Sequence, residues 1–308
     1  MKALYIERQG GPEVLIYGDM PDPTPKRGQV VVDVYAASVN AADWKVRAGG
    51  YDGGSPNAYP YILGRDFSGI VAETRYGADL SEGEEVFGVL DVGQEGAYAE
   101  KVAVKASIIA RKPVWLTHVE AAAIALTGLT AKISIEDTIQ LKSGETILIH
   151  GGAGGVASMA IQMAKHIGAK VITTASPSNH GYLRGLGADE IIDYNTIDFT
   201  TVVSGVDAVF ETAGEDVAHR SFQVLRPGGR IAFIASGATA PPSPRDDVTV
   251  LRPAVGRDRP HLERVLDLLA GRAIKVPKTT VYPLSEAVAA HRVSETRHLK
   301  GKLVFQAR

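Results

Sequence analysis

The run His150-Gly151-Gly152-Ala153-Gly154-Gly155-Val156-Ala157 constrains this chain more than any other stretch. It follows an apolar, strand-like segment at 146–150 and opens a segment of helical spacing, in which Val156, Met159, Ala160, Met163, Ala164 and Ile167 share one face. Glycines at such a junction let the backbone approach a dinucleotide pyrophosphate and leave the unpaired amides of a helix start to bind it. Gly151, Gly154 and Ala157 depart from a strict G-x-G-x-x-G, so the turn alone also fits a plain strand-to-helix connection. Its surroundings favour the dinucleotide: apolar segments at 146–150, 170–174, 190–193, 207–211, 230–235 and 248–252 alternate with helical ones, the pattern of a doubly wound parallel α/β sheet. Gly151, Gly154, Gly155 and Val156 are the phosphate-binding candidates.

The end of the second strand chooses between cofactors. A site for NAD carries an acidic residue about 20 positions beyond the glycines, where it binds ribose hydroxyls. Here Thr174-Ala175-Ser176-Pro177-Ser178-Asn179-His180 stands in that place, with no carboxylate to repel a phosphate. Ser176, Asn179 and His180 can donate to a 2′-phosphate, and Tyr194 is placed to cover it, so the expected cofactor is NADPH. A turn chosen for its backbone geometry is the competing reading of the same residues.

Upstream, to about residue 112, strands and Pro/Gly-rich turns predominate, and an alanine-rich helix is expected over 119–135. A second amphipathic helix is expected over 262–269, and the strand-like tail at 279–306 returns to the first lobe. The methionines at 159 and 163 belong to a core face. A length of 308 residues calls for two domains, and 45% hydrophobic with 22% charged residues fits a folded globular chain. A net charge of −2 gives no general attraction to nucleic acid or to an anionic membrane. No apolar segment reaches the length of a membrane span. The absence of cysteine excludes disulfides and thiolate ligands and suits a reducing cytoplasm.

Further segments carry a family resemblance along essentially the whole chain. They are Val39-Asn40-Ala41-Ala42-Asp43-Trp44-Lys45-Val46-Arg47-Ala48-Gly49, Leu63-Gly64-Arg65-Asp66-Phe67-Ser68-Gly69, Leu126-Thr127-Gly128-Leu129-Thr130-Ala131, Leu225-Arg226-Pro227-Gly228-Gly229-Arg230 and Gly301-Lys302-Leu303-Val304. With the glycine turn, they resemble the medium-chain dehydrogenase/reductase superfamily, in its zinc-free quinone oxidoreductase, zeta-crystallin-like or enone reductase branch. The resemblance implies a GroES-like β-rich catalytic domain at 1–121 and 272–308, with a Rossmann NADPH-binding domain at 122–271. It also implies a homodimer, for which 248–250 offers an edge strand to pair.

Zinc-containing relatives have cysteine where this chain has Asn40 and a His-Glu pair where it has Arg65-Asp66. A guanidinium cannot ligate zinc, so no catalytic zinc is expected there. The resemblance implies that Asn40, Lys45 and Tyr51 line the catalytic cleft, and that Thr127 contacts the nicotinamide or its ribose. It places Ala213, Gly214 and Phe233, Ile234, Ala235 and Ser236 in loops over the cofactor, and Lys302 and Leu303 of the closing segment among the residues that bind it. Quinone reductases of this kind usually carry tyrosine where Lys45 stands, which shifts the expectation toward enone reduction. Asp43 is expected to organise its loop, and a solvated surface charge is the plain reading of Lys45. The expected activity is NADPH-dependent reduction of a quinone or an α,β-unsaturated carbonyl by direct hydride transfer. An enoyl-thioester or polyketide-tailoring reductase and a non-catalytic NADPH-binding sensor or structural protein remain the alternatives; zinc alcohol dehydrogenation is opposed by Asn40 and Arg65.

Overall fold

The computed structural model describes residues 1–51, 58–91, 93–94, 96–234 and 241–308. Among them the chain begins with β1 (Lys2–Ile6), β2 (Ile16–Asp19), β3 (Gln29–Ser38), α1 (Ala41–Ala48), β4 (Tyr61–Ile62), β5 (Asp66–Thr74), β6 (Glu85–Val89), β7 (Lys101–Lys105) and β8 (Ile109–Arg111). There follow α2 (His118–Lys132), β9 (Thr146–Ile149), α3 (Gly155–Ile167), β10 (Lys170–Thr174), α4 (His180–Gly185), β11 (Glu190–Ile192) and α5 (Phe199–Val202). The remainder is β12 (Val206–Glu211), α6 (Glu215–Arg220), β13 (Leu225–Phe233), β14 (Thr249–Leu251), α7 (Arg259–Ala270), β15 (Thr279–Pro283), α8 (Ala287–Glu295) and β16 (Lys302–Gln306). Two units result: Met1–Leu126 with Arg257–Arg264 and Val276–Arg308, and Thr127–Gly256 with Val265–Lys275.

In the first unit β3 is the spine. Its early residues pair with β7 and its last ones, Ala36 to Ser38, pair with β16, while β5 runs antiparallel along its other edge. Val30, Val32 and Val34 repeat every second residue and so face one way, into a core with Phe67, Val71, Val86, Val104 and Phe305. The sheet runs β15-β16-β3-β5-β6-β8, and β2-β1-β4 forms a second, smaller sheet. The register places Ser38 opposite Val304 and Ala37 opposite Phe67. Three strand ends therefore meet: the finish of β3 and the starts of β5 and β16. An element not foreseen in this lobe is α1, which begins where β3 ends.

In the second unit the parallel sheet has the order β11-β10-β9-β12-β13-β14. Its central strands β9, β10 and β12 are largely buried, as strands covered on both faces require, and Leu148, Ile172, Val209 and Ile231 meet Phe222 and Phe233 in the core. The order reverses direction between β9 and β12, the switch point where open α/β sheets bind ligands. The helix α3 leaves from there with Met159 and Met163 fully buried, and Gly168 ends it in the left-handed conformation (φ 95°). The expected strand at 230–235 starts earlier, at Leu225, so the Pro227-Gly228-Gly229 turn chemistry lies inside β13; the ladder with β12 shifts register between Val206 and Ala208. The alanine-rich helix α2 gives way to a π-helical segment, Ile133–Thr138. No described helix is long and apolar enough to cross a membrane.

Candidate active site

The convergence of strand ends in the first unit buries an unusual set of charges: Asp43, Asp66, Arg65 and Lys302, with Ser38 and Asn40 among them. Asp66 opens β5. Its carboxylate accepts from Ser38 Oγ (2.7 Å), from Asn40 Nδ2 (2.9 Å) and from the Leu126 amide (3.3 Å). Burial pushes the Asp66 carboxyl above its ordinary pKa, against the pull of the Lys302 ammonium and the hydrogen bonds from Ser38 and Asn40. Burial likewise pushes the Lys302 ammonium below its ordinary value, and the charges of Asp66 and Asp43 oppose that shift.

Asn40 joins these groups. Its Nδ2 donates to Ser38 O (3.2 Å) as well as to Asp66, and its Oδ1 accepts from Lys302 Nζ. Both amide hydrogens are thus engaged inside the protein, and the amide orientation is fixed by acceptors on one side and a cation on the other. Lys302 reaches this place because Gly301 lies at φ 77° with its α-carbon against the Lys278 carbonyl; a Cβ there would stand 1.9 Å from that oxygen. Leu303, named with Lys302 from the sequence, turns its side chain into the core, and its carbonyl accepts from the Val39 amide.

Asp43 closes the start of α1 as a capping box with Asn40, accepting from the Asn40 amide (2.7 Å). Tyr98 Oη also donates to it (2.6 Å), and Arg65 Nε lies 3.8 Å from its other oxygen. Burial pushes its carboxyl up to about 6, while the Arg65 charge and the Tyr98 hydrogen bond pull the other way. Gly64 (φ 93°) fits against the Tyr98 ring, where a Cβ would come within 2.2 Å. The far end of α1 unwinds through Gly49 (φ 83°), with Gly50 N donating to Lys45 O (2.9 Å), and the chain turns to Tyr51. The Arg65 guanidinium lies 4.6 Å from the Tyr51 ring centroid and donates to the phenolic oxygen (3.3 Å). Lys45 is half-buried with its ammonium 5.8 Å from the Trp44 ring centroid. The grip of Arg65 on Tyr51 has no sequence signal.

In the second unit the glycine turn is built for close approach. Gly151 sits at φ 65° and donates to Thr174 Oγ1 (3.1 Å), and Gly152 donates to Thr174 O (3.1 Å). A Cβ on Gly152 would meet Thr173 Oγ1 at 2.2 Å. Gly154 caps α3 without any side-chain hydrogen bond, so the first-turn amides at Gly155 and Val156 belong to an open helix N-terminus. His150 stands behind the turn, fully buried between Thr174 Oγ1 (3.3 Å) and Ser221 Oγ (3.0 Å), and burial lowers its pKa to about 3.

At the end of β10, Asn179 Nδ2 donates to Ser176 Oγ (3.1 Å), and Ser178 Oγ stands 3.3 Å from the same hydroxyl. His180 Nε2 lies 3.2 Å from Ala175 O. Tyr194 is 45% exposed, just beyond β11. Glu211, at the end of β12, accepts from the amides of Ala213 (2.6 Å) and Gly214 (2.7 Å) and holds that loop. Its other oxygen is buried without a hydrogen bond, and burial pushes the carboxyl up against those two amides. Phe233 is fully buried and packs on Phe222, so only its backbone faces the strand's end; the Ile234 amide donates to Glu211 O (3.1 Å). Thr127 is buried in α2. Ala235 and Ser236 lie outside the described residues.

The open α3 terminus, the glycines that a Cβ would obstruct and the carboxylate-free β10 terminus fit a phosphorylated dinucleotide. Among the described residues no cluster of three or more His, Asp or Glu side chains could hold a metal ion.

Sequence comparison places residues 26–114 with the alcohol dehydrogenase GroES-like domain and 186–305 with the zinc-binding dehydrogenase domain. The chain is 32% identical to the chloroplastic NADPH-dependent alkenal/one oxidoreductase of Arabidopsis thaliana, across 99% of this chain and 79% of that protein. Among solved structures, the quinone oxidoreductase of Coxiella burnetii superposes with a TM-score of 0.93 at 33% identity, covering 100% of this chain and 99% of that one. The Escherichia coli quinone oxidoreductase complexed with NADPH superposes with a TM-score of 0.90 at 26% identity, covering 99% and 100%.

Proposed function

We propose that this chain, which belongs to the medium-chain dehydrogenase/reductase superfamily, catalyses NADPH-dependent reduction of α,β-unsaturated carbonyl compounds and quinones by direct hydride transfer without zinc. The observation that carries the reading is the open α3 terminus behind Gly151–Gly154, combined with a β10 terminus that offers Ser176 and Asn179 in place of a carboxylate. Similarity to the alkenal/one oxidoreductase and to two quinone oxidoreductases supports the acceptor class.

When bound, NADPH supplies the hydride; the protein's part is placement and electrostatics. Gly155 and Val156 would receive the pyrophosphate at the helix N-terminus, and Ser176, Asn179 and His180 would hold the 2′-phosphate. Tyr194, Thr127, the Ala213-Gly214 loop and the backbone of Phe233 and Ile234 complete the cofactor site. Reduction of a conjugated acceptor leaves negative charge on its oxygen, and donors aimed at that oxygen lower the barrier. Tyr51 and Lys45 provide them, and Tyr51 returns the proton. Asn40 serves by fixing Lys302 and Asp66, since its own donors are engaged. Lys302 and Leu303 keep β16 in register at this place. The protein acts in the cytoplasm as a homodimer joined through β14, the edge strand of its six-stranded sheet.

NADPH consumption against a panel of 1,4-benzoquinone, trans-2-hexenal, 2-cyclohexenone and an enoyl thioester tests the reading. Turnover of the enal, enone or quinone supports it; turnover confined to the thioester, or none with any acceptor, overturns it.

A further inference from the structure

We infer that Arg65 is a positioning residue for the acceptor chemistry: it fixes the Tyr51 phenol in place and answers the charge that appears on it when its proton is given up. The inference rests on the proposed role of Tyr51 and adds a residue to it.

Tyr51 follows the glycine pair that ends α1, and packing against the core of the first unit holds its ring in part. The guanidinium does so from two directions at once. It lies over the ring at 4.6 Å from the centroid, and Nη1 reaches the phenolic oxygen at 3.3 Å. The cation over the face of the ring restrains it, and the donated hydrogen bond leaves the phenol's own hydrogen free to point elsewhere. Arg65 is itself immobile: it is 4% exposed, begins the turn into β5 and has Asp43 3.8 Å from its Nε. Asp43 in turn is fixed by Tyr98 and by the cap of α1. The line Tyr98, Asp43, Arg65, Tyr51 thus runs from a rigid core to a half-buried phenol. A phenol that releases its proton acquires a negative charge, and a guanidinium already hydrogen-bonded to that oxygen needs no rearrangement to stabilise it. Lysine in this place would keep the cation but would lack the planar face and the fork of donors.

The test is a two-by-two comparison of R65K and Y51F, assayed with NADPH and 2-cyclohexenone. Y51F alone should lower kcat at least tenfold. R65K in the wild-type background should lower kcat at least fivefold, with the NADPH dissociation constant changed less than twofold. In the Y51F background the same substitution should change kcat less than twofold, because the group it positions is gone. Equal fold-losses from R65K in both backgrounds, or no loss in either, would overturn the inference while leaving Tyr51 catalytic. If Y51F itself keeps the wild-type kcat, the proposed role of Tyr51 falls and this inference falls with it. Should R65K fail to fold, R65Q replaces it in both backgrounds. The Asp43 carboxyl is already raised to about 6 and can take up a proton once the guanidinium is gone. The same equal losses would again overturn the inference.

Discussion

The ammonium of Lys302, at the start of the last strand, donates to the amide oxygen of Asn40, 262 residues earlier in the chain. Asn40 passes the connection on through Nδ2 to Asp66, so a cation and a carboxylate, both buried, are joined through one neutral amide.

Removing the cation should therefore be felt in the fold first. Lys302→Met leaves Asp66 buried without the charge that most favours its ionised form and leaves Asn40 Oδ1 without its donor, and a buried acceptor left unsatisfied costs about 1–3 kcal/mol. Urea unfolding should show the loss, with a smaller effect on NADPH affinity once the protein is folded. Unchanged stability with much weaker NADPH binding would instead mean that Lys302 serves the cofactor directly.

Two buried histidines set the acid limit. Burial lowers His150 and His291 to about 3, each aided by a nearby arginine, Arg220 and Arg47 respectively. In the unfolded chain they take up protons below about pH 6.5, while in the folded protein they stay neutral to about pH 3. The unfolded state thus binds more protons in that window, and stability falls as pH falls, by up to about 1.4 kcal/mol per pH unit for each histidine. Asp43, raised to about 6, works in the opposite sense between pH 6 and its ordinary 3.8, and the raised Asp66 and Glu211 share that sign, so the histidine contribution is read by difference. Between pH 7 and 5 the wild type should lose stability relative to His291→Gln, by up to about 1.4 kcal/mol per pH unit below pH 6.5. A difference that does not change with pH would contradict the burial of this ring as a neutral group.

Cofactor choice should follow the end of β10. Hydrogen bonds to a charged group contribute roughly 1.5–3 kcal/mol, so NADPH should bind about 10- to 150-fold more tightly than NADH. Ser176→Asp should reverse much of that preference by placing a carboxylate where the 2′-phosphate belongs. Competition titration at physiological salt decides; equal dissociation constants in the wild type would remove Ser176 and Asn179 from the phosphate site.

The edge strand β14 should pair with its symmetry mate. Light scattering at micromolar concentration should give twice the chain mass, and Val250→Asp should give the monomer. A monomer mass for the wild type would leave β14 unpaired and refute the dimer.

What the sequence made legible was local. The glycine turn and the helix after it were readable because Met159, Ala160, Met163 and Ala164 recur at helical spacing, and the parallel strands because fully covered strands are continuous apolar runs. The helix α1 was not, being only eight residues long with Asp43 and Trp44 inside it; the signal that marks it is the Asn40–Asp43 capping box. Phe233 illustrates the limit of motif matching, since its side chain belongs to the core. The pairs Lys302–Asn40 and Arg65–Tyr51 carry no sequence signal at all. They are created by the register of β16 and β5 on β3, and a register is a property of the whole sheet.

The central claim is metal-free hydride transfer to a conjugated acceptor, and a single-turnover reaction tests it most directly. Enzyme stripped with EDTA is mixed with NADPH fully deuterated at C4 and with 2-cyclohexenone, and the product is examined by NMR and mass spectrometry. The account predicts one deuterium at the β-carbon, a primary isotope effect on the transfer, and a rate that chelation leaves unchanged. A product without deuterium, or a rate lost to EDTA and restored by zinc, would contradict it.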